Sequence, residues 1–168
     1  MQAIISPGYV RGTVKAPPSK SMMQRVCAAA LLHHGKTIIH NPGISHDDKA
    51  ALHIIEQLGA VIHSQTTDTI VLTSNGIQPV GNSIDCGESG LAARLFAPIA
   101  ALSNHPIRIT GKGSLLNRPM DVFTDIFAQT HTRLIDFNGH IPFIIQGPLQ
   151  PADITIDGSV SSQFLSGL

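Results

Sequence analysis

The chain has 168 residues, the size of one large domain or two small ones, and enough to bury a core. Hydrophobic residues make up 42% and charged residues 13%, with 11 basic against 11 acidic side chains and a formal net charge of zero. That balance excludes a general nucleic-acid or membrane-surface binder, which needs a basic excess, so any anion site must be local and built from a few placed cations.

In chain order, a short strand is expected first at Ala3–Ser6. No charged leader or apolar h-region accompanies it, so the start does not read as a signal peptide, and no stretch approaches a membrane span. Pro17 and Pro18 then hold the backbone extended, and Ser19 is a good N-cap for a helix at Ser21–Leu32. Met22, Val26, Ala29, Ala30 and Leu31 recur there at helical spacing. Free N–H groups and the positive end of the helix dipole point out of that turn, where Lys20 and Ser21 sit. Arg25 lies one turn on, along the same face as Ser21. The natural guest is a phosphate or a carboxylate, although an ordinary capped helix with solvated cations fits the same spacing.

A strand at Thr37–His40 leads to a helix at Asp47–Leu58, capped by Asp47 or Ser45, with Ala50, Ile54 and Leu58 on one face. Strands follow at Ala60–His63 and Thr69–Thr73. The helix at Gly90–Leu102 carries Leu91, Leu95, Ile99 and Leu102, with Pro98 as a kink point. After a strand at Ile107–Thr110, Gly111 and Gly113 permit a tight loop, and Arg118 precedes a proline at a helix start. That placement suits a forked guanidinium reaching a carboxylate or phosphate, and a flexible loop with an exposed arginine is the plain alternative. A helix at Met120–Ala128 and strands at Arg133–Asp136, Pro142–Gln146 and Ile154–Ile156 complete the series.

Cys27 falls inside the first helix and Cys86 in a polar turn, which suggests reduced thiols of a cytoplasmic protein and neither a disulfide framework nor a metal pair. The nine histidines show no metal-ligand spacing.

The elements repeat with a period of about 70 residues. Arg25 and Arg94 each stand four residues into a helix, after Ser21 and Gly90, and the same order of elements follows each. Ile84-Asp85-Cys86-Gly87-Glu88-Ser89 and Ile156-Asp157-Gly158-Ser159-Val160-Ser161 read as one strand-to-helix turn, 72 residues apart. The chain is therefore an α/β (α+β) protein of two βαβαββ units, with a third cut short a few residues into its first helix, as in a piece of something longer. Packed about a pseudo-threefold axis, the helix starts at Lys20-Ser21, Glu88-Ser89-Gly90 and Ser161-Ser162-Gln163 would face one polyanion site.

Four ordered motifs carry a resemblance: Pro17-Pro18-Ser19-Lys20-Ser21 with Arg25, Gly87 and Gly90 with Arg94, Gly111 to Met120, and Asp157 to Leu165. Together they resemble the N-terminal part of the 5-enolpyruvylshikimate-3-phosphate synthases (3-phosphoshikimate 1-carboxyvinyltransferases). The resemblance implies transfer of an enolpyruvyl group from phosphoenolpyruvate to the 5-hydroxyl of shikimate 3-phosphate, with no metal or organic cofactor. It implies two similar domains closing over the substrates in a full-length enzyme that is a monomer. Residues 1–14 would pack with the second domain, and 15–168 would form an incomplete first domain prone to self-association.

By the same resemblance, Lys20 would touch both substrates, Ser21 and Arg25 would hold shikimate 3-phosphate, and Ser161 and Ser162 would bind its phosphate. Gln163 would sit between the substrates, Arg118 would grip phosphoenolpyruvate, and Gly90 would lie against it. A side chain at Gly90 would crowd that pocket and the competing herbicide glyphosate. Arg94 would be an architectural ion-pair partner. Glu88 departs from the family's usual asparagine and must turn away, pair with Arg94 or bind its ligand protonated. The general acid and base would lie in the second domain, leaving this stretch inert alone. The sister transferases acting on UDP-N-acetylglucosamine share the fold but have Lys-Asn at the first motif and a loop cysteine, where this chain has Lys20-Ser21 and none in 111–120. A non-catalytic anion-binding module is the other reading.

Overall fold

A computed structural model describes residues 3, 4 and 6–168 of the chain. Ser19 caps α1 (Lys20–Leu32), its Oγ accepting from the Met22 N–H at 3.4 Å. β1 (Gly35–His40), α2 (His46–Gln57), β2 (Val61–Gln65) and β3 (Thr69–Ser74) follow. α2 opens on a reciprocal cap: Ser45 Oγ accepts from the Asp48 N–H at 3.2 Å, and Asp48 Oδ2 accepts from the Ser45 N–H at 2.9 Å. Ser45, not Asp47, is thus the cap, which leaves the Asp47 carboxylate for α1.

The second unit runs β4 (Ser83–Asp85), α3 (Gly90–Ala100), β5 (Ile107–Thr110), a 3-10 turn at Gly113–Asn117, α4 (Val122–Gln129), β6 (Arg133–Ile135) and β7 (Phe143–Gln146). Two sheets result. The first, β1-β3-β2, is antiparallel, and the second has the order β4-β5-β7-β6 with only β4 and β5 parallel. Every residue of α3 is buried, because α1 and α2 pack against it on one side and β5 and the C-terminal segment cover the others. The helix runs through Pro98 unbroken. Below it, Phe123 stacks on Phe127 at 5.1 Å and meets the edge of Phe164 at 5.0 Å, which ties α4 to the end of the chain.

The repeat expected from the sequence holds for the second unit, which has all six elements, whereas among the described residues the first shows no leading strand. Ile5 of the expected strand Ala3–Ser6 lies outside the described residues, and residues 6–18 carry no regular element. The strand expected at Ile154–Ile156 is also absent, for a visible reason. The Gln129 side chain accepts from the Thr155 N–H at 2.8 Å and donates to the Thr155 carbonyl at 2.9 Å, so an amide from α4 satisfies that backbone in place of a neighbouring strand. The third-unit helix is reduced to a 3-10 turn at Phe164–Gly167. Conversely, β4 is a three-residue strand too short for periodicity to reveal. No helix among the described residues is long and apolar enough to cross a membrane.

Both cysteines are free and buried. Burial, helped by the nearby Asp48, pushes the Cys27 thiol up to about 12, and burial with Asp85 pushes Cys86 up as well. In the unfolded chain both ionise near the ordinary 9.0, so the unfolded state loses these protons first. Stability is therefore expected to fall as pH rises above 9. A thiol-modifying dye at pH 8 should react with neither cysteine until the chain is unfolded in denaturant, whereas rapid labelling of the native chain would contradict this burial.

Candidate active site

The starts of α1 and α3 meet around a cleft of about 340 Å³. Lys20 and Ser21 contribute from α1, Asp47 from the first turn of α2, and Glu88, Ser89, Gly90 and Leu91 from α3; Ser114 and Arg118 enter from the following loop and Gln163 from the C-terminal segment. A buried hydrogen-bond relay fixes the two helix starts together. Ser89 Oγ accepts from the Ala92 N–H at 3.1 Å as the cap of α3 and donates to Gln24 Oε1 at 2.9 Å. Both side chains are nearly inaccessible, so separating the helices would leave two polar groups unpaired. Sequence reading missed Gln24, whose one signal is an amide among the apolar positions Met23, Cys27 and Leu31.

The electrostatics favour an anion at the α3 start. Lys20 Nζ lies 2.9 Å from Asp47 Oδ2, so its charge is held at the mouth and half answered. Arg118 is exposed, and among the described residues its guanidinium makes one hydrogen bond, at 3.4 Å from Nη2 to Ser114 Oγ. An alanine carbon placed on Gly90 would stand 2.6 Å from Arg118 Nη1 and 3.2 Å from Arg94 Nη1, so two guanidinium groups converge on one helix N-terminus. Glu88 lines the cleft, and its carboxylate lies against Gly113, where the missing side chain makes room; among the described residues it does not pair with Arg94. Arg94 does not have the ion-pair partner expected of it. Its hydrogen bonds go to Gln163 and the Pro119 carbonyl, both neutral.

A larger cavity of about 780 Å³ adjoins across Asp47 and Glu88. It mixes Asp47, Asp85 and Glu88 with Lys49, Lys112 and two histidines, so it offers an anion no net preference. No group of three or more His, Cys, Asp or Glu able to hold a metal ion occurs among the described residues.

Of the residues singled out in the sequence, Lys20, Ser21, Gly90, Arg118 and Gln163 share the cleft. Arg25, Ser161 and Ser162 are not among its lining residues. Arg25 turns outward, donating to the Ser21 carbonyl at 3.1 Å and to Ser166 Oγ at 3.4 Å. Ser161 Oγ accepts from the Gln163 N–H at 3.2 Å, in a segment whose helical turn begins only at Phe164, so no helix start presents Ser161 and Ser162 to the cleft.

The model of the EPSP synthase (3-phosphoshikimate 1-carboxyvinyltransferase) family matches residues 4–168. The chain belongs to the EPSP synthase family. It is 33% identical over 169 residues to a 3-phosphoshikimate 1-carboxyvinyltransferase of Clostridium perfringens, covering 99% of this chain and 40% of that protein. To the protein of the same name from Methanocorpusculum labreanum it is 35% identical over 171 residues, covering all of this chain and again 40% of the relative. Among solved structures, an EPSP synthase of Acinetobacter baumannii superposes with a TM-score of 0.80 at 22% identity, over 93% of this chain and 37% of that one. The chain thus spans about 40% of the length of the curated relatives it matches. At that identity the structural likeness speaks for the fold, and it agrees with the α/β architecture expected of an enolpyruvyl transferase domain.

Proposed function

We propose that this chain supplies part of a 3-phosphoshikimate 1-carboxyvinyltransferase, binding shikimate 3-phosphate and phosphoenolpyruvate for transfer of the enolpyruvyl group to the 5-hydroxyl. The observation that carries the reading is the convergence of Arg118, Lys20 and Gln163 on the uncrowded start of α3. Three charge-assisted or amide donors and a helix N-terminus suit a small dianion such as phosphoenolpyruvate. Lys20 and Ser21 line the cleft, where Lys20 would touch both substrates and Ser21 would meet shikimate 3-phosphate. Arg25 would help Ser21 hold shikimate 3-phosphate, and Ser161 and Ser162 would bind its phosphate, which requires these three residues, outside the cleft lining here, to move towards it.

The second domain of such an enzyme would cover this cleft and carry the groups that move protons. At this cleft Asp47 is paired with Lys20 and Glu88 lies beside Gly113, and without the second domain's groups the isolated chain is expected to bind without turnover. Ile4, Tyr9, Val10 and Val14 stand almost wholly exposed, which supports the packing of residues 1–14 on that domain. Copies of the isolated chain would meet over such uncovered apolar surface, the complete enzyme being a monomer. Two buried unpaired thiols suit a cytoplasmic setting.

Calorimetric titration tests the assignment. Shikimate 3-phosphate should bind the 168-residue chain, phosphoenolpyruvate should bind more tightly in its presence, and UDP-N-acetylglucosamine should give no heat. Preference for the nucleotide sugar would move the chain to the sister transferases, and equal response to any phosphate would reduce it to an anion-binding module.

A further inference from the structure

Arg94 stands one turn beyond Gly90 on α3, and its side chain runs back along the helix towards the cleft. It is 8% exposed, and no carboxylate among the described residues pairs with it. Nη1 donates to Gln163 Oε1 at 2.9 Å, Nη2 donates to the Pro119 carbonyl at 3.2 Å, and the guanidinium carbon lies 4.9 Å from the centre of the Phe164 ring. Nε is buried without a partner. Burial, and then the charge of Arg118, make the guanidinium easier to deprotonate than usual. A buried cation without a counter-charge is a costly way to fill space that a methionine could occupy.

What the cation does is set polarity. Arginine can only donate, so Gln163 must turn its oxygen to Arg94, and the two N–H groups of its amide are left for the cleft that Gln163 lines. An unrestrained glutamine would offer an anion its oxygen as readily as its nitrogen. The second donor holds the carbonyl of Pro119, the residue after Arg118, the other cation at the α3 start. Arg94 itself does not line the cleft.

We propose that Arg94 is a positioning residue for the anion subsite at the α3 start, acting through Gln163 by fixing its amide with the donors towards the substrate. This rests on the function proposed above, with phosphoenolpyruvate as the anion. The test titrates phosphoenolpyruvate, with shikimate 3-phosphate present, into the 168-residue chain and its Arg94→Met, Gln163→Ala and doubly substituted forms. Each single change should weaken binding about tenfold, and the double change no further, because one acts through the other. In nitrogen-15 spectra the Gln163 side-chain amide should be ordered in the wild-type chain and averaged in Arg94→Met. Additive losses, or an unchanged Gln163 amide, overturn the proposal.

Should Arg94→Met fail to fold, Gln163→Glu decides. Its carboxylate pairs with Arg94, so the melting temperature should not fall, yet it presents acceptors to the anion and affinity should drop at least tenfold; undiminished affinity overturns the proposal. A wild-type chain that binds no phosphoenolpyruvate would refute the proposed function, and the role of Arg94 would then stand or fall on the Gln163 amide signal alone.

Discussion

Replacing Gly90 by alanine is expected to weaken phosphoenolpyruvate binding at least tenfold while leaving the fold intact. The backbone does not resist the change, since Gly90 opens the helix without a positive φ and alanine fits such a position. The obstacle is the neighbouring charge. The new carbon would stand 2.6 Å from Arg118 Nη1, closer than carbon and nitrogen can pack, and a tight 3.2 Å from Arg94 Nη1. Arg118 is the exposed member and has one weak tether among the described residues, so it is the one that moves. Its guanidinium then leaves the helix start, and one charge-assisted contact worth about 1.5–3 kcal/mol is lost, a factor of about ten or more in affinity. Titration of both forms, paired with thermal melts, separates the effect: affinity should fall and the melting temperature should not. Undiminished affinity would mean that Arg118 takes no part at the α3 start.

The largest expected effect on stability is at Phe123. The ring is fully buried among Phe127, Phe143 and Phe164, at centroid distances of 5.1, 5.9 and 5.0 Å. Phe123→Ala should cost about 3–5 kcal/mol, because the rigid ring neighbours cannot collapse into the space. Against a total of roughly 5–15 kcal/mol this is a severe loss, visible as a melting temperature lower by about 10 °C. The change should also reach the cleft. Phe164 packs on Phe123 with one edge and carries the Arg94 guanidinium over its face, directly beside Gln163. Denaturant unfolding measures the first effect and phosphoenolpyruvate titration the second. A loss below about 1 kcal/mol would show that this cluster is not the keystone between α4 and the C-terminal segment.

The motifs that speak through local physics were legible in the sequence. Ser19 and Ser45 cap helices because a hydroxyl after an extended residue can reach a free N–H, and that depends on neighbours only. Arg118 before a proline likewise stood out as an anion-seeking guanidinium, and the fold brings it to the same cleft as Gly90. Where an element depends on distant partners, reading failed. Ile154–Ile156 has the composition of a strand, but Gln129 reaches its backbone first. Gln24 and Arg94 matter through Ser89 and Gln163, which are 65 and 69 residues away, and no spacing rule connects such pairs. The outward turn of Arg25 has the same origin, since Ser166, which receives one of its donors, lies 141 residues on.

The convergence of two helix starts, Arg118 and Gln163 on a single anion is tested most directly by following the backbone amides of the 168-residue chain by NMR during phosphoenolpyruvate addition. Lys20, Ser21, Gly90, Leu91, Arg118 and Gln163 should move together along one saturation curve, with β2 and β6 unaffected. Shifts spread over unrelated faces, or confined to the lysines, would contradict the existence of one built site.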